Sequence, residues 1–256
     1  MTRLILENVN VSASSSFMLD DISATFKAGE LVGVIGPNGA GKSTLAKAIV
    51  GLAAPSAGKI LLEGIDLSAM RLPERATKIG YLPQLADFYW RMSIEEAVKL
   101  GRHGREHSEQ AFKRVISDCE LDLLLGRDVM ALSGGEKMRV HLARLFYGYQ
   151  DIIVADEPCA SLDVAHQHRI MRLMREHSRN HTGIMIIHDL ELAQRYCDRL
   201  LLLHRGRLLL NGTPDSVLQS AVCAKTFGVA FQSYTSDQQR NASGQLLVAH
   251  PPEPRA

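Results

Sequence analysis

The sequence predicts an α/β domain on a largely parallel sheet, with an antiparallel β region at its N-terminus and a helical stretch inserted in its middle. Three observations carry that prediction. Strand-sized apolar runs alternate with segments of helical periodicity along most of the chain. The first strands alternate apolar and polar residues in antiparallel fashion, whereas later ones are apolar throughout. From Leu85 to Gln150 the strand signal fades and helical segments dominate.

In chain order, Leu4–Val11 and Ile22–Phe26 read as antiparallel strands, with Lys27-Ala28-Gly29-Glu30 as a turn. The apolar run Leu31–Ile35 ends at Gly36, and a glycine-rich loop leads into a helix. There Leu45, Ala48, Ile49 and Leu52 share one face, and Gly51 and Pro55 close it. After the Pro55–Gly58 loop, Lys59–Leu62 fits a third strand of the first kind. Ser93-Ile94-Glu95-Glu96 is a capping box opening a helix, and Ser108–Cys119 is a second helix. Asp151–Ala155 and Gly183–Ile187 read as buried strands with a helix over Val164–His177 between them. Leu200–Leu203 and Arg207–Leu210 make a hairpin across His204-Arg205-Gly206. The polar stretch Ser233–Gly244 and the closing Pro251-Pro252-Glu253-Pro254 predict a weakly ordered tail.

With 256 residues, 46% hydrophobic and 22% charged, the chain has material for a sizeable core, and wholesale disorder is excluded. Lysine and arginine number 29 against 28 acids, a net charge of +1 that argues against a protein that coats nucleic acid. No apolar run approaches the roughly 18 residues of a membrane-spanning helix. Met1–Asn10 mixes Arg3 and Glu7 with apolar positions, unlike a signal peptide. Cys119, Cys159, Cys197 and Cys223 are scattered without a Cys-x-x-Cys pair, as in a reduced intracellular chain.

Three motifs carry chemistry. Gly36-Pro37-Asn38-Gly39-Ala40-Gly41-Lys42-Ser43-Thr44 fits G-x-x-x-x-G-K-[ST] between a strand and a helix, the context of a P-loop. Its glycines let backbone N–H groups curl around phosphate oxygens. Lys42 would reach the β- and γ-phosphates and Ser43 would place its hydroxyl on Mg²⁺. The bland alternative is a glycine-rich turn beside a surface lysine. Asp151–Pro158 is an apolar strand ending in Asp156 and Glu157. In the Walker B arrangement Asp156 would hold the metal through water, and Glu157 would orient or deprotonate an attacking water. Solvated acids at a strand end are the alternative there. In Leu132-Ser133-Gly134-Gly135-Glu136, Ser133 and Glu136 form a capping box, while the two glycines bare N–H groups suited to phosphate. Spacing alone leaves both readings open.

The order of these motifs resembles the ATP-binding subunit of an ATP-binding-cassette (ABC) transporter, over nearly all of residues 1–230. Gly36–Thr44 resembles its Walker A, Leu132–Glu136 its signature, and Asp151–Pro158 its Walker B with the following glutamate. Gln84, in Tyr81-Leu82-Pro83-Gln84, resembles the Q-loop glutamine, a Mg²⁺ ligand. Ser161-Leu162-Asp163 resembles the D-loop and His188 the switch histidine at the γ-phosphate. The resemblance implies a P-loop NTPase (RecA-like) core with an N-terminal antiparallel β subdomain and an inserted α-helical subdomain. Residues 1–84 and 151–232 would form the core, 85–150 the helical subdomain and 233–256 the tail. It also implies a head-to-tail pair of identical chains, in which Ser133, Gly134, Gly135 and Glu136 serve the partner's ATP.

There are departures. Ala13 falls where many cassettes place an aromatic on adenine; Phe17 is the nearest substitute, read here as core in preference to platform. Cys159 stands for the usual threonine after Asp-Glu-Pro, and Ala155 for a larger aliphatic. For cargo, Val98–His103, His166-Gln167 and Thr226–Val229 resemble importers of iron–siderophore, haem and cobalamin, while Tyr89–Ser93 resembles zinc and manganese importers. A soluble ABC ATPase of iron–sulfur assembly and a nucleotide-gated module without turnover are rival readings. His103/His107, His177/His181, His166 and His168 lack zinc-type partners and read as solvated, as does the arginine-rich face of Arg169–Arg179. The expectation is an ATP hydrolase with ATP and Mg²⁺, lying at the cytoplasmic face of a membrane. Its partners would be permease subunits and, indirectly, a periplasmic or extracellular binding protein, with no nucleic acid.

Overall fold

The computed structural model describes residues 2–13, 16–102, 106, 108–160, 162–235 and 245–250. The N-terminal strands β1 (Thr2–Ala13) and β2 (Ser16–Lys27) pair antiparallel, and the Ala28-Gly29 turn passes the chain to β3 (Glu30–Ile35) in a second sheet. After α1 (Lys42–Ile49), β4 (Ala57–Leu62) returns to pair with β1, and the short β5 (Ile65–Asp66) adds to β4. Then come α2 (Leu72–Lys78) and β6 (Ile79–Leu82). Between β6 and the next strand the described elements are helical: α3 (Ile94–Lys99), α4 (Glu109–Asp118) and α5 (Gly134–Gly148), with two single turns of 3₁₀-helix. The chain re-enters the sheet through β7 (Ile152–Asp156), α6 (Val164–Ser178), β8 (Thr182–Ile186), α7 (Leu190–Tyr196) and β9 (Arg199–His204). The edge strand β10 (Arg207–Gly212) precedes α8 (Pro214–Leu218) and α9 (Ala221–Phe227).

One sheet has the order β2-β1-β4-β5 and is antiparallel. The other runs β10-β9-β3-β8-β7-β6, parallel except for the β9–β10 hairpin. The parallel strands are apolar throughout because both faces are covered. Val32, Val34, Ile152, Val154, Ile184, Ile186, Leu201 and Leu203 pack with α1 and the antiparallel sheet. Their alternate neighbours Leu31, Ile35, Ile153, Ala155, Met185, Leu200 and Leu202 pack toward the helices on the far side. The capping boxes of α3 and α5 form as the sequence predicts, each side-chain cap contributing about 1 kcal/mol to its helix.

Four expectations are corrected. Leu52 does not complete the buried face of α1, because the helix ends at Ile49; Gly51 takes φ 76° and Leu52 is 64% exposed. His177 and His181 are partly buried and stacked, with ring centroids 4.4 Å apart, and burial lowers the His177 pKa to about 4. His166 lies between Asp163 and Glu120, and His168 bonds the Tyr196 hydroxyl. The arginines of α6 are brackets: Arg169 donates to the Ser117 and Asp118 carbonyls and to Glu120, and Arg175 to the Tyr196 carbonyl and Asp198. Finally, the stretch expected as a weakly ordered tail carries an antiparallel ribbon of β11 (Ala230–Thr235) and β12 (Gln245–His250). His103, His107 and Ser161 lie outside the described residues, as do the side chains of Ala13 and Phe17.

Candidate functional site

The site begins where β3 delivers the glycine-rich loop to α1. Two glycines there are geometric requirements. A Cβ on Gly36 would lie 2.2 Å from the Leu203 carbonyl oxygen, and Gly41, at φ 102°, would meet the Met18 carbonyl oxygen at 2.8 Å. Gly39 is also at positive φ, and a run of such glycines before a helix N-terminus is the backbone geometry that lets N–H groups converge on an anion. Lys42 is buried, and its ammonium donates to the carbonyls of Gly36 (2.8 Å) and Pro37 (3.0 Å). Burial lowers its pKa, opposed by the nearby carboxylates of Glu157 and Asp156.

Strand β7 brings the acids to the loop from the neighbouring sheet position but one. Asp156 is 2% exposed; burial raises its pKa, against the pull of a hydrogen bond from the Ser43 hydroxyl. Its Oδ1 is buried with no hydrogen-bond partner. Glu157 follows at φ 53°, a left-handed conformation that few side chains adopt, and its N–H is held by the Ile186 carbonyl of β8 at 3.2 Å. That turn aims its carboxylate between two other predicted residues. Gln84 Nε2 donates to Oε2 at 2.9 Å, and His188 Nε2 lies 2.5 Å from Oε1. Gln84, Glu157 and His188, far apart in sequence, thus meet at one carboxylate.

A cavity of about 670 Å³ lies over the loop, lined by Asn38 through Thr44, Gln84, Glu157, Met18, Arg205 and Gly206. Asp163 caps α6 through the His166 N–H and does not line it. Nor does the Leu132–Glu136 turn. There the capping box is complete, with Ser133 Oγ accepting from the Glu136 N–H at 3.3 Å and Glu136 accepting from the Ser133 N–H at 2.8 Å. Gly134 faces open space. The chain therefore has one glycine-rich loop beside Asp156 and Glu157 and a second glycine-rich turn, at Ser133–Glu136, that does not line the same cavity.

Sequence reasoning missed Met18 and Arg205, which reach the cavity from strands β2 and the β9–β10 turn and carry no local motif. It also missed the Tyr81 hydroxyl, buried without a partner, whose pKa is pushed up to about 12 by burial and then by Asp156. The register pairs Tyr81 with Val154, two residues before Asp156, so strand adjacency is the only signal that finds it.

The family model described as ABC transporter matches residues 19–160, more than half of the chain, including both glycine-rich turns and the β7 acids. The chain belongs to the ABC transporter family. Among ABC relatives, the hemin import ATP-binding protein HmuV of Pseudomonas entomophila is 39% identical over 236 residues, 88% of this chain and 92% of that protein. The cobalamin import ATP-binding protein BtuD of Halobacterium salinarum is 36% identical over 258 residues, 98% of this chain and 64% of its own length. A solved ATP-binding subunit of an ABC transporter superposes with a TM-score of 0.78 at 28% identity, over 86% of this chain and 94% of that one. The chain is thus an ABC ATPase cassette, with ATP as its ligand and ATP hydrolysis as the family's activity. Among the described residues no helix is long and apolar enough to cross a membrane.

Proposed function

We propose that this cassette is the ATP-hydrolysing subunit of an importer for a metal chelate of the haem, cobalamin or iron–siderophore type, working as a homodimer beneath a membrane permease on its cytoplasmic face. The names of its relatives support the cargo class. The observation that carries the catalytic part is the meeting of Gln84 and His188 on Glu157, beside Asp156 and the loop.

The donor set fits Mg²⁺: an orphaned buried oxygen on Asp156, the Ser43 hydroxyl next to it, and the Gln84 side chain at the cavity rim. When bound, Mg²⁺ supplies charge neutralisation to the β- and γ-phosphate oxygens. The chain's own groups do the rest. Lys42 exchanges its bonds to the Gly36 and Pro37 carbonyls for charge-assisted bonds to phosphate oxygens. Glu157 accepts a proton from the water whose oxygen attacks the γ-phosphorus, and the bond to the bridging oxygen breaks with its electron pair leaving on ADP. His188 holds the γ-phosphate side of the site. Residues 85–150 are proposed as the helical subdomain facing the permease, supported by the exposure of Leu85 (90%), Tyr89 (82%) and Trp90 (64%) along the segment after Gln84. A binding protein outside the membrane would act through the permease. Ser133–Glu136 would serve the partner chain's nucleotide.

The test uses vesicles carrying the chain with its permease, and the purified chain beside them. Lys42→Ala should lose ATP binding, whereas Glu157→Gln should bind ATP, release no phosphate and drive no uptake of haem or cobalamin. Turnover by Glu157→Gln near the parent rate removes the general-base assignment. ATP-driven uptake of zinc or manganese alone moves the cargo to that class.

A further inference from the structure

The cavity over the loop is lined by two groups of residues: Gln84 and Glu157, which bond each other at 2.9 Å, and Met18, Arg205 and Gly206, where the Met18 and Gly206 backbones close on Gly41. A nucleoside triphosphate laid along the loop with its γ-phosphate at Glu157 must extend its ribose and base toward Met18 and Arg205.

Arg205 is held there by its backbone. It occupies the first central position of a two-residue turn closed by the His204–Arg207 pair, with φ 49° at Arg205 and 78° at Gly206. Two successive left-handed residues are the hairpin geometry in which asparagine or glycine costs least, so arginine is a poor choice on conformational grounds alone. The turn is tied to the loop: the Gly206 N–H donates to the Ala40 carbonyl at 2.9 Å, and the Asp20 N–H donates to the Gly206 carbonyl at 2.9 Å. The next arginine, Arg207, is committed to the Asp20 carboxylate at 2.7 Å. Arg205 lines the cavity, and none of the hydrogen bonds, ion pairs or ring contacts among the described residues uses its guanidinium. Its planar, weakly hydrated cation suits the face of a heteroaromatic base. Met18 beside it, 42% exposed, offers a polarizable apolar contact of the same class.

We propose that Arg205 is a nucleotide-contacting residue that covers the nucleoside half of ATP by stacking its guanidinium on the base. This rests on reading the cavity as the nucleotide site. Stacking of this kind tolerates any base, so nucleoside triphosphates as a class are favoured over bare polyphosphate, without discrimination between adenine and guanine.

The experiment is calorimetric titration of the full chain and two variants with Mg²⁺ complexes of ATP, GTP and inorganic tripolyphosphate. Arg205→Asn keeps the left-handed turn and removes the cation; Arg205→Lys keeps the charge and removes the plane. Arg205→Asn should weaken ATP and GTP alike, roughly three- to tenfold, and leave tripolyphosphate within about twofold of the parent. Arg205→Lys should lie nearer to Arg205→Asn than to the parent. An equal loss for tripolyphosphate would place Arg205 on the phosphates and overturn the assignment. No loss for any ligand would make it a solvated surface residue and overturn it too. If the parent bound neither ATP nor tripolyphosphate, the nucleotide-site reading itself would fall.

Discussion

His141 shows how far one side chain can be moved from its solution chemistry. It is 2% exposed on α5, lies parallel to the Phe88 ring at 4.2 Å, and has no partner in hydrogen-bond geometry at either ring nitrogen. Burial, aided by Arg144, lowers its pKa from 6.5 to about 4; the Ala86 carbonyl and Asp87 oppose this only weakly. The unfolded chain therefore binds a proton here at a pH where the folded chain does not. The stability from the neutral ring is full above about pH 6.5 and is lost as the pH falls toward about 4. At pH 5 the loss is on the order of 2 kcal/mol. Urea unfolding at pH 7.5 and 5.0 should show a smaller difference for His141→Leu than for the parent, whatever the variant's stability at pH 7.5. Identical differences would mean the ring takes up its proton in the folded chain as readily as in the unfolded one. The motif residues were legible at this scale because spacing within one loop defines them. His141 and His177 were not, because their burial is made by other segments: Phe88 for one, Tyr149 and His181 for the other.

Between elements, one polar junction of the helical stretch centres on Glu120, just past α4. It accepts from Arg169 at 2.5 Å and faces His166 at 3.0 Å, while Arg169 also donates to the Asp118 and Ser117 carbonyls at 2.7 and 3.1 Å. Arg139 of α5 donates to the Glu120 carbonyl at 2.9 Å, so α4, α5 and α6 meet at one residue. The partners are partly exposed, so Arg169→Ala should cost only roughly 0.5–1 kcal/mol of global stability. Locally the effect should be larger: amide hydrogen exchange should quicken around Cys119–Leu121 and stay unchanged in β7 and β8. Uniform exchange would mean the helices are held by apolar packing alone. The same logic explains what was readable among the elements. The runs that became β3, β7 and β8 were plain because two buried faces select apolar residues along the strand, and the β9–β10 hairpin followed from two apolar runs about a tight turn. Leu52 was misassigned because apolar spacing continues past the point where Gly51 ends α1. The arginines of α6 looked solvated because their acceptors are carbonyls supplied by other elements, and a carbonyl leaves no mark in sequence.

At the scale of the whole molecule, the cassette carries a glycine-rich turn at Ser133–Glu136 that does not reach its own cavity. If that turn completes a partner's site, ATP binds the pair more tightly than the single chain, and so stabilises the pair. In the Glu157→Gln background, ATP with Mg²⁺ should shift the purified chain from monomer to dimer by light scattering, and Ser133→Arg should block the shift. A dimer of equal strength without nucleotide would count against a shared site. The layout also has a consequence in time. The two sheet neighbours of β3, the strand that delivers the loop, are β8 and β9, which are made well over a hundred residues after it. Synthesis at about 5–20 residues per second leaves the loop's strand without a partner for many seconds. During that interval ATP has no finished cradle to bind, so the ligand cannot act as a scaffold for its own site. Synthesis must pass β9 before nucleotide can reward folding, and pairings this distant in sequence are slow to form. Newly made copies of this subunit are therefore most exposed to aggregation and proteolysis before they first meet ATP.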